Sequence, residues 1–212
     1  MIYTHYKNSK TGMHCVQACL KNLLRYFDMP VLSFKELDKI TDHDPNKFTW
    51  MSKALLWLAS KRLHVLHIEN LDYVMFSKQG EKYLKNIWDA ETFKVQDQYS
   101  NLKAEQKDAA KLVASKNITL LNKRLNVSEI KSLFKMGNFV MLSINPNVLK
   151  GKSDYGSHLV VVTGFKNGKV RLCDPDIGFI WYKEKTLQRA ISPKYKPDFS
   201  ATFVSFKPVK VI

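Results

Sequence analysis

Cys15, His158 and Asp174 are the residues of this sequence whose types and surroundings are best suited to chemistry. Cys15 lies where a polar N-terminal segment passes into an amphipathic helical pattern. The unpaired N–H groups and the dipole of a helix N-terminus favour the thiolate, which is the reactive form of cysteine. His158 opens an apolar strand pattern and is a candidate general base. The predicted chemistry is attack of a thiolate on a carbonyl group.

Asp174 is the expected third member of this group. Asn167-Gly168 supplies the positive φ angles of a tight hairpin turn, so the strands predicted at 157–165 and 169–174 should be antiparallel neighbours. This pairing would bring Asp174 back beside His158, where a carboxylate can hold the second ring nitrogen. Taken singly, the cysteine and the histidine are also compatible with structural roles, and Asp174 with a plain turn.

The other cysteines are expected to be packing residues. Cys19 lies one turn beyond Cys15 on the apolar stripe of the same predicted helix, and Cys173 lies within a predicted strand. Three cysteines are too few for a disulfide framework, which is typical of a reducing compartment, so we expect a cytoplasmic protein. No metal or cofactor is expected, because the set His14, Cys15, Cys19 and His158 lacks the usual spacing of a structural zinc site.

The elements that must position these residues change in character along the chain. Helices are predicted from about Cys15 to Phe27, from Ser33 with a capping box to Glu36, and at about 49–62, followed by a strand at 64–69. Five further strands are expected in the second half: Phe139–Ile144, Ser157–Phe165, Lys169–Asp174, Phe179–Tyr182 and Thr202–Phe206. Helices followed by an antiparallel sheet predict an α+β fold.

The length of 212 residues fits one domain, 1–212, that contains an additional inserted region. The stretch at approximately 70–116 carries lysines and acids at helical intervals with few glycines or prolines, so we expect an inserted helical region there. No apolar run is long enough for a membrane span, and no signal peptide is evident. The sequence therefore predicts a soluble, membrane-independent protein.

The chain is strongly basic, with 34 Lys and Arg against 19 Asp and Glu and a net charge of +15. Two interpretations are open: a lysine-rich solvated surface, or a surface that attracts an acidic partner. Nucleic acid is not an expected partner, because no zinc-finger spacing, RNA-recognition signature or phosphate-binding loop is present.

Three segments carry a family resemblance. The run from Cys15 to Phe27 resembles the nucleophile helix of the bacteriocin-processing, or double-glycine-leader, cysteine peptidases and their papain-like relatives. Gly156–Phe165 is similar to their histidine motif, and Cys173-Asp174-Pro175 to their Asp-Pro motif. The resemblance extends over the first helix and the C-terminal sheet, about a third of the chain, and the three segments occur in the expected order.

This resemblance implies a papain-like fold, with the nucleophile helix packed on a C-terminal antiparallel sheet. It implies Cys15 as the nucleophile, His158 as the base and Asp174 as the residue that orients the base. That family places a glutamine six residues before the nucleophile to help hold the oxyanion, but this chain has Ser9 there. Asn8, one residue further out, is the nearest amide, so Asn8 and Ser9 are the oxyanion candidates.

The expected function is a stand-alone cysteine peptidase-like hydrolase that acts on a peptide or isopeptide bond through an acyl-enzyme. One alternative is an acyl or peptidyl transferase that uses the same triad with an acidic carrier protein. Another is a catalytically degenerate domain that binds a peptide, which would be favoured by Ser9 and by Val16, the latter in place of the glycine that follows the nucleophile in that family. The expected partner is a peptide or protein substrate, for which acidic character would suit the basic chain.

Overall fold

The computed structural model describes residues 2–209, which form ten helices and seven strands. The helices are α1 (Cys15–Tyr26), α2 (Phe34–Thr41), α3 (Ser52–Ser60), α4 (Tyr73–Gln79), α5 (Glu81–Ile87), α6 (Ala90–Tyr99), α7 (Leu102–Ala114), α8 (Val127–Lys135), α9 (Pro146–Leu149) and α10 (Glu184–Ala190). The strands are β1 (His64–Glu69), β2 (Ile118–Asn122), β3 (Phe139–Ile144), β4 (His158–Lys166), β5 (Lys169–Asp174), β6 (Gly178–Lys183) and β7 (Ser200–Ser205).

All seven strands form one sheet in the order β2-β1-β7-β3-β4-β5-β6. Neighbouring strands are antiparallel except β1 and β2, which are parallel. The predicted α+β class is confirmed. The sheet is larger than expected, however, because β1 and β2, which precede the predicted C-terminal strands in the sequence, extend them on one side.

Helices cover both faces of the sheet. One face packs against α1 to α5 and α7 through a core that includes Leu20, Leu23 and Phe139. The opposite face packs against α8 and α10 through a second core that includes Ile130 and Leu187. Strand β3 lies between the two cores, and all six of its residues are buried. Its run of apolar residues without alternation follows from burial on both faces.

Helix α1 forms where the apolar spacing predicts it. Val16, Leu20 and Leu23 lie on one face and pack into the first core, which contributes roughly 1.5–3 kcal/mol for each large apolar side chain removed from water. The helix ends before Pro30, as expected from the sequence. This packing holds the N-terminal end of α1 against the sheet.

Strand β2 and helices α8 and α10 were not among the predicted elements. Helix α8 has a capping box between Asn126 and Glu129 and buries Ile130 and Leu133, so a signal for it was available in the sequence. Strand β2 has five residues, of which Ile118 alone is buried, so its burial gives no periodic pattern. Its place is determined by parallel pairing with β1, which is a tertiary contact.

Helices α4 to α7 occupy the region expected to be helical. Several of their apolar side chains enter the same core as α1, among them Tyr73, Phe76, Leu84 and Leu112. The role of this region as an insertion into a single domain stays a prediction. None of the helices within residues 2–209 is long and apolar enough to cross a membrane.

Glu105 on α7 provides a test of this packing. Burial, reinforced by the nearby Asp108 carboxylate, raises the pKa of Glu105 from 4.5 to about 7. The unfolded chain ionises this group at lower pH, so the group's contribution to stability is full below about pH 4.5 and is lost as the pH rises to about 7. We expect Glu105→Gln to raise the free energy of unfolding at pH 8 by about 1–3 kcal/mol and to change it little at pH 4.

Urea unfolding of Glu105→Gln and the wild type at both pH values measures this effect. Glu91→Gln is the matched control, because Glu91 is exposed on neighbouring α6. Equal stability of Glu105→Gln and the wild type at pH 8 would show that the carboxylate is solvated in the native protein.

Candidate active site

Cys15 is the first residue of α1 and is partly buried. His14 is the N-cap residue, and no side chain within the described part of the chain caps this end of the helix. The first amides of α1 are therefore available to an anion, and the helix dipole adds to their effect. The structure places the predicted nucleophile where a developing negative charge is favoured.

A contact between α1 and β4 sets the position of Cys15 along the sheet. The Cys19 thiol donates a hydrogen bond to the carbonyl oxygen of Leu159 at 3.4 Å. Cys15 lies about one helical turn before Cys19, and His158 directly precedes Leu159. The buried Cys19 therefore acts as a structural contact that keeps Cys15 beside the start of β4, where His158 lies.

A second contact ties α1 to β5. The Asn22 side-chain amide donates to the Cys173 sulfur at 3.3 Å, and Asp174 follows Cys173 directly. Cys173 is buried, as predicted for a packing residue. Burial raises its pKa to about 11, so its thiol stays protonated at neutral pH. Asn22, which sequence reasoning did not single out, thus helps to hold α1 against the strand that carries Asp174.

His158 and Asp174 are brought together as predicted. His158 Nε2 lies 2.9 Å from Asp174 Oδ1, and both side chains are buried. This bond engages Nε2, so Nδ1 is the ring nitrogen that can exchange a proton with a thiol. Asp176 was not predicted: its Oδ2 lies 3.8 Å from the same ring nitrogen, and its backbone N–H donates to Asp174 Oδ1 at 2.8 Å.

Electrostatics favour the charged form of this pair. Burial by itself lowers the pKa of His158, but the hydrogen bond to Asp174 and the hydrogen bond and charge of Cys15 outweigh it and raise that pKa to about 10. Burial by itself raises the pKa of Asp174, but the hydrogen bond and charge of His158 hold it below its ordinary value. Both shifts favour transfer of a proton to His158 beside an ionised Asp174.

A β-bulge in β4 puts His158 and Asp174 on the same face of the sheet. Gly164 lies opposite Arg171, whereas Val162 lies opposite Leu172, so Thr163 is an extra residue in β4. The Thr163 hydroxyl donates to the Arg171 carbonyl oxygen at 3.2 Å.

The shifted register decides where Asp174 points. Val161 lies opposite Cys173, so the same register sets Asp174 opposite Val160, on the face shared with His158. Without the extra residue Asp174 would lie opposite Val161 and point to the other face, because a shift of one residue reverses every side chain.

Both polar atoms of the Asn8 side-chain amide are hydrogen-bonded within the chain. Its Nδ2 donates to Asp176 Oδ1 at 2.8 Å and to the Gly12 carbonyl oxygen at 3.1 Å. Its Oδ1 accepts from the backbone N–H groups of Ser9 at 2.9 Å and His14 at 2.8 Å. In this arrangement Asn8 links the segment before Cys15 to the turn after Asp174, and holding an oxyanion would require exchange of one of these bonds.

Ser9, the second oxyanion candidate, directs its hydroxyl to Thr11 Oγ1 at 2.9 Å and to His14 Nδ1 at 2.7 Å. The structure thus brings Cys15, His158 and Asp174 together and places Asn8 next to this group through Asp176. The oxyanion role of Asn8 or Ser9 stays a prediction.

Comparison with known proteins gives a likeness in structure. No protein-family model matches the chain, and no curated protein sequence matches it. Among solved structures, a match is the peptidase domain of ComA from Streptococcus, described as a bi-functional ABC transporter involved in a quorum-sensing pathway. The match has a TM-score of 0.48 and 12% sequence identity, and covers 96% of this chain and 98% of that domain.

The chain is similar in fold to a peptidase domain. At this identity and TM-score the likeness concerns the fold alone.

Proposed function

We propose that this chain is a cysteine peptidase-like hydrolase that cleaves a peptide or isopeptide bond through Cys15, His158 and Asp174. The observation that carries the proposal is the 2.9 Å contact between His158 and Asp174 beside the open N-terminus of the helix that begins with Cys15. A nucleophile, a base and a group that orients the base form the arrangement needed for acyl transfer.

In the proposed first step, His158 takes the Cys15 proton and the sulfur attacks the substrate carbonyl carbon. Negative charge develops on the carbonyl oxygen, for which the Cys15 backbone N–H at the start of α1 is a candidate donor. The tetrahedral intermediate collapses as the C–N bond breaks, and His158 gives its proton to the leaving amine. The product of this step is a thioester on Cys15.

In the second step, His158 accepts a proton from water, and the resulting hydroxide attacks the thioester carbonyl. The C–S bond breaks, the carboxylic acid is released, and the Cys15 sulfur is regenerated with its imidazolium partner. Asp174 keeps Nε2 protonated throughout, so that Nδ1 remains the nitrogen that exchanges protons. No metal or cofactor takes part in this sequence of steps.

Selective alkylation tests the proposed nucleophile. At about pH 6, where an ordinary thiol is scarcely ionised, iodoacetamide should modify Cys15 on the order of 100-fold faster than Cys19 or Cys173. Cys15 lies at an open helix terminus beside His158, whereas burial raises the pKa of both other thiols. Peptide mass spectrometry of time-resolved samples measures the three rates within one protein.

His158→Ala should slow Cys15 alkylation at this pH by about tenfold or more, because the imidazolium that stabilises the thiolate is lost. His64→Ala is the matched control, since His64 lies at the start of β1, which β7 and β3 separate from β4 in the sheet. Equal labelling of the three cysteines, or an unchanged rate in His158→Ala, would contradict the proposed nucleophile.

A chase experiment tests whether water or another acceptor receives the acyl group. An acyl-enzyme trapped on Cys15 can be chased with water alone or with added amines and followed by intact mass. We expect discharge by water at a rate that does not depend on added amines. A strict requirement for an amine or thiol acceptor would instead show a transferase, and failure to form an acyl-enzyme would leave peptide binding without catalysis.

We also propose that the net charge of +15 favours an acidic peptide or protein substrate. Affinity for such a substrate should fall as the salt concentration rises, because screening weakens attraction between exposed charges. An affinity that does not change with salt would reject electrostatic recognition. The lysine-rich surface would then serve only to keep the protein solvated.

A further inference from the structure

His14, Asp38 and His43 converge next to the candidate active site. His14 precedes α1, Asp38 lies in α2, and His43 lies in the segment after α2. One ligating atom from each lies within 4.8 Å of the other two. His14 Nε2 is 3.3 Å from Asp38 Oδ1 and 3.4 Å from Asp38 Oδ2, and the two imidazole rings have centroids 4.5 Å apart.

Each imidazole is held through its other ring nitrogen. His14 Nδ1 lies 2.7 Å from the Ser9 hydroxyl, and His43 Nδ1 lies 2.9 Å from the Thr49 hydroxyl. Histidines that ligate metals are usually oriented by such an outer hydrogen bond on the nitrogen away from the metal. These outer bonds leave Nε2 of both rings available, and His14 Nε2 lies against Asp38.

His43 Nε2 supplies an independent observation that points to a ligand at this cluster. It is buried and has no hydrogen-bond partner among residues 2–209. Buried polar atoms are almost always partnered, so an unpartnered imidazole nitrogen facing another imidazole and a carboxylate points to a ligand that accepts electron pairs. A cation with affinity for nitrogen satisfies all three groups at once.

We propose that His14, Asp38 and His43 bind a divalent transition-metal ion of the zinc type. Two imidazoles and one carboxylate are a donor set suited to zinc, whereas magnesium and calcium prefer oxygen ligands alone. Ligands about 2.0–2.1 Å from a tetrahedral zinc ion lie about 3.4 Å apart, and the distances between His14 and Asp38 already match this value. Three protein ligands leave a fourth position for water.

The proposed metal site is distinct from the proposed catalytic residues, but it lies next to Cys15. His14 directly precedes Cys15, so the ion would join the start of α1 to α2 and to the segment that leads into α3. We therefore expect bound metal to restrain the position of Cys15 and to stabilise the fold. The proposed hydrolase does not depend on the ion, and either idea can fail while the other holds.

Titration of chelator-treated protein with zinc chloride, followed by isothermal calorimetry, tests the site. We expect one ion per chain and a higher melting temperature with metal. His43→Ala should abolish both effects, and Thr49→Val, which removes the outer hydrogen bond alone, should weaken binding by about 10- to 100-fold. Circular dichroism of each variant without metal verifies that it folds.

A second cluster, His158, Asp174 and Asp176, also has metal-ligating groups, and Cys15 is a thiol that can bind zinc. His158→Ala and Cys15→Ser are therefore the matched controls, and both should keep wild-type affinity. With cobalt(II) as the probe, the wild type should show visible ligand-field bands without the near-ultraviolet band of a thiolate ligand.

A cobalt thiolate band that disappears in Cys15→Ser would overturn the proposal, because it would place the ion on the nucleophile. Loss of affinity in His158→Ala together with wild-type affinity in His43→Ala would overturn it as well, since the ion would then lie in the second cluster. Absence of any saturable binding by the wild type would show that the two histidines and Asp38 form a hydrogen-bonded cluster without a metal function.

Discussion

Asp174→Asn should lower turnover of a peptide substrate by about 10³–10⁴-fold while the protein stays folded. Asparagine is neutral, and when its NH2 group donates to Nε2 of His158, Nε2 is the acceptor and Nδ1 carries the proton. The ring could then no longer take the Cys15 proton. Loss of the Asp174 carboxylate also lets burial dominate, which lowers the pKa of His158.

The measurement is kcat/KM on a substrate selected by the wild-type protein from a peptide library. Asp176→Asn is the matched control, because Asp176 is a neighbouring carboxylate whose Oδ2 lies 3.8 Å from His158 Nε2. We expect its effect to be about tenfold or less, since a contact of that length is not a hydrogen bond. Equal losses in both variants would show a general charge effect and not orientation by Asp174.

Local signals explain why part of this site could be predicted from sequence. The apolar spacing of Val16, Leu20 and Leu23 reports the buried face of α1, so it also places Cys15 at the helix start. Asn167 and Gly168 have φ values of 50° and 69°, as the predicted turn requires, and β4 and β5 pair as expected. Both signals involve residues close in sequence, and their geometry follows from backbone sterics.

The bulge at Thr163 could not be predicted in this way. A regular hairpin from the same turn would point Asp174 away from His158, so the correct expectation of proximity depended on a register shift that no local pattern shows. The convergence of His14, Asp38 and His43 is similarly a tertiary result. It depends on how α1 packs against α2 and on the path of the segment that follows α2.

Asn8→Ala should reduce the free energy of unfolding by about 2–4 kcal/mol, a large effect for a single polar side chain. Asn8 is buried, and its amide makes four hydrogen bonds, to Ser9, Gly12, His14 and Asp176. Alanine leaves the N–H groups and oxygens of these partners without their bonds. Urea unfolding monitored by fluorescence and by circular dichroism measures the loss.

The same variant separates two roles for Asn8. If the amide links the segment before Cys15 to the turn after Asp174, Asn8→Ala lowers both stability and the rate of Cys15 alkylation, because no substrate oxyanion is present during alkylation. If the amide instead holds the oxyanion, stability and alkylation stay near wild type while kcat falls by about 10²–10³-fold.

Asn8→Asp sharpens this comparison. It keeps the acceptor for the N–H groups of Ser9 and His14 but sets a second carboxylate near Asp176 Oδ1, which the Asn8 amide contacts at 2.8 Å. Like charges at that distance are unfavourable, so Asn8→Asp should lose more stability relative to the wild type at pH 7 than at pH 4, where protonation relieves the repulsion. A linking role requires that difference, whereas an equal loss relative to the wild type at both pH values would indicate that the amide is free to turn toward a substrate.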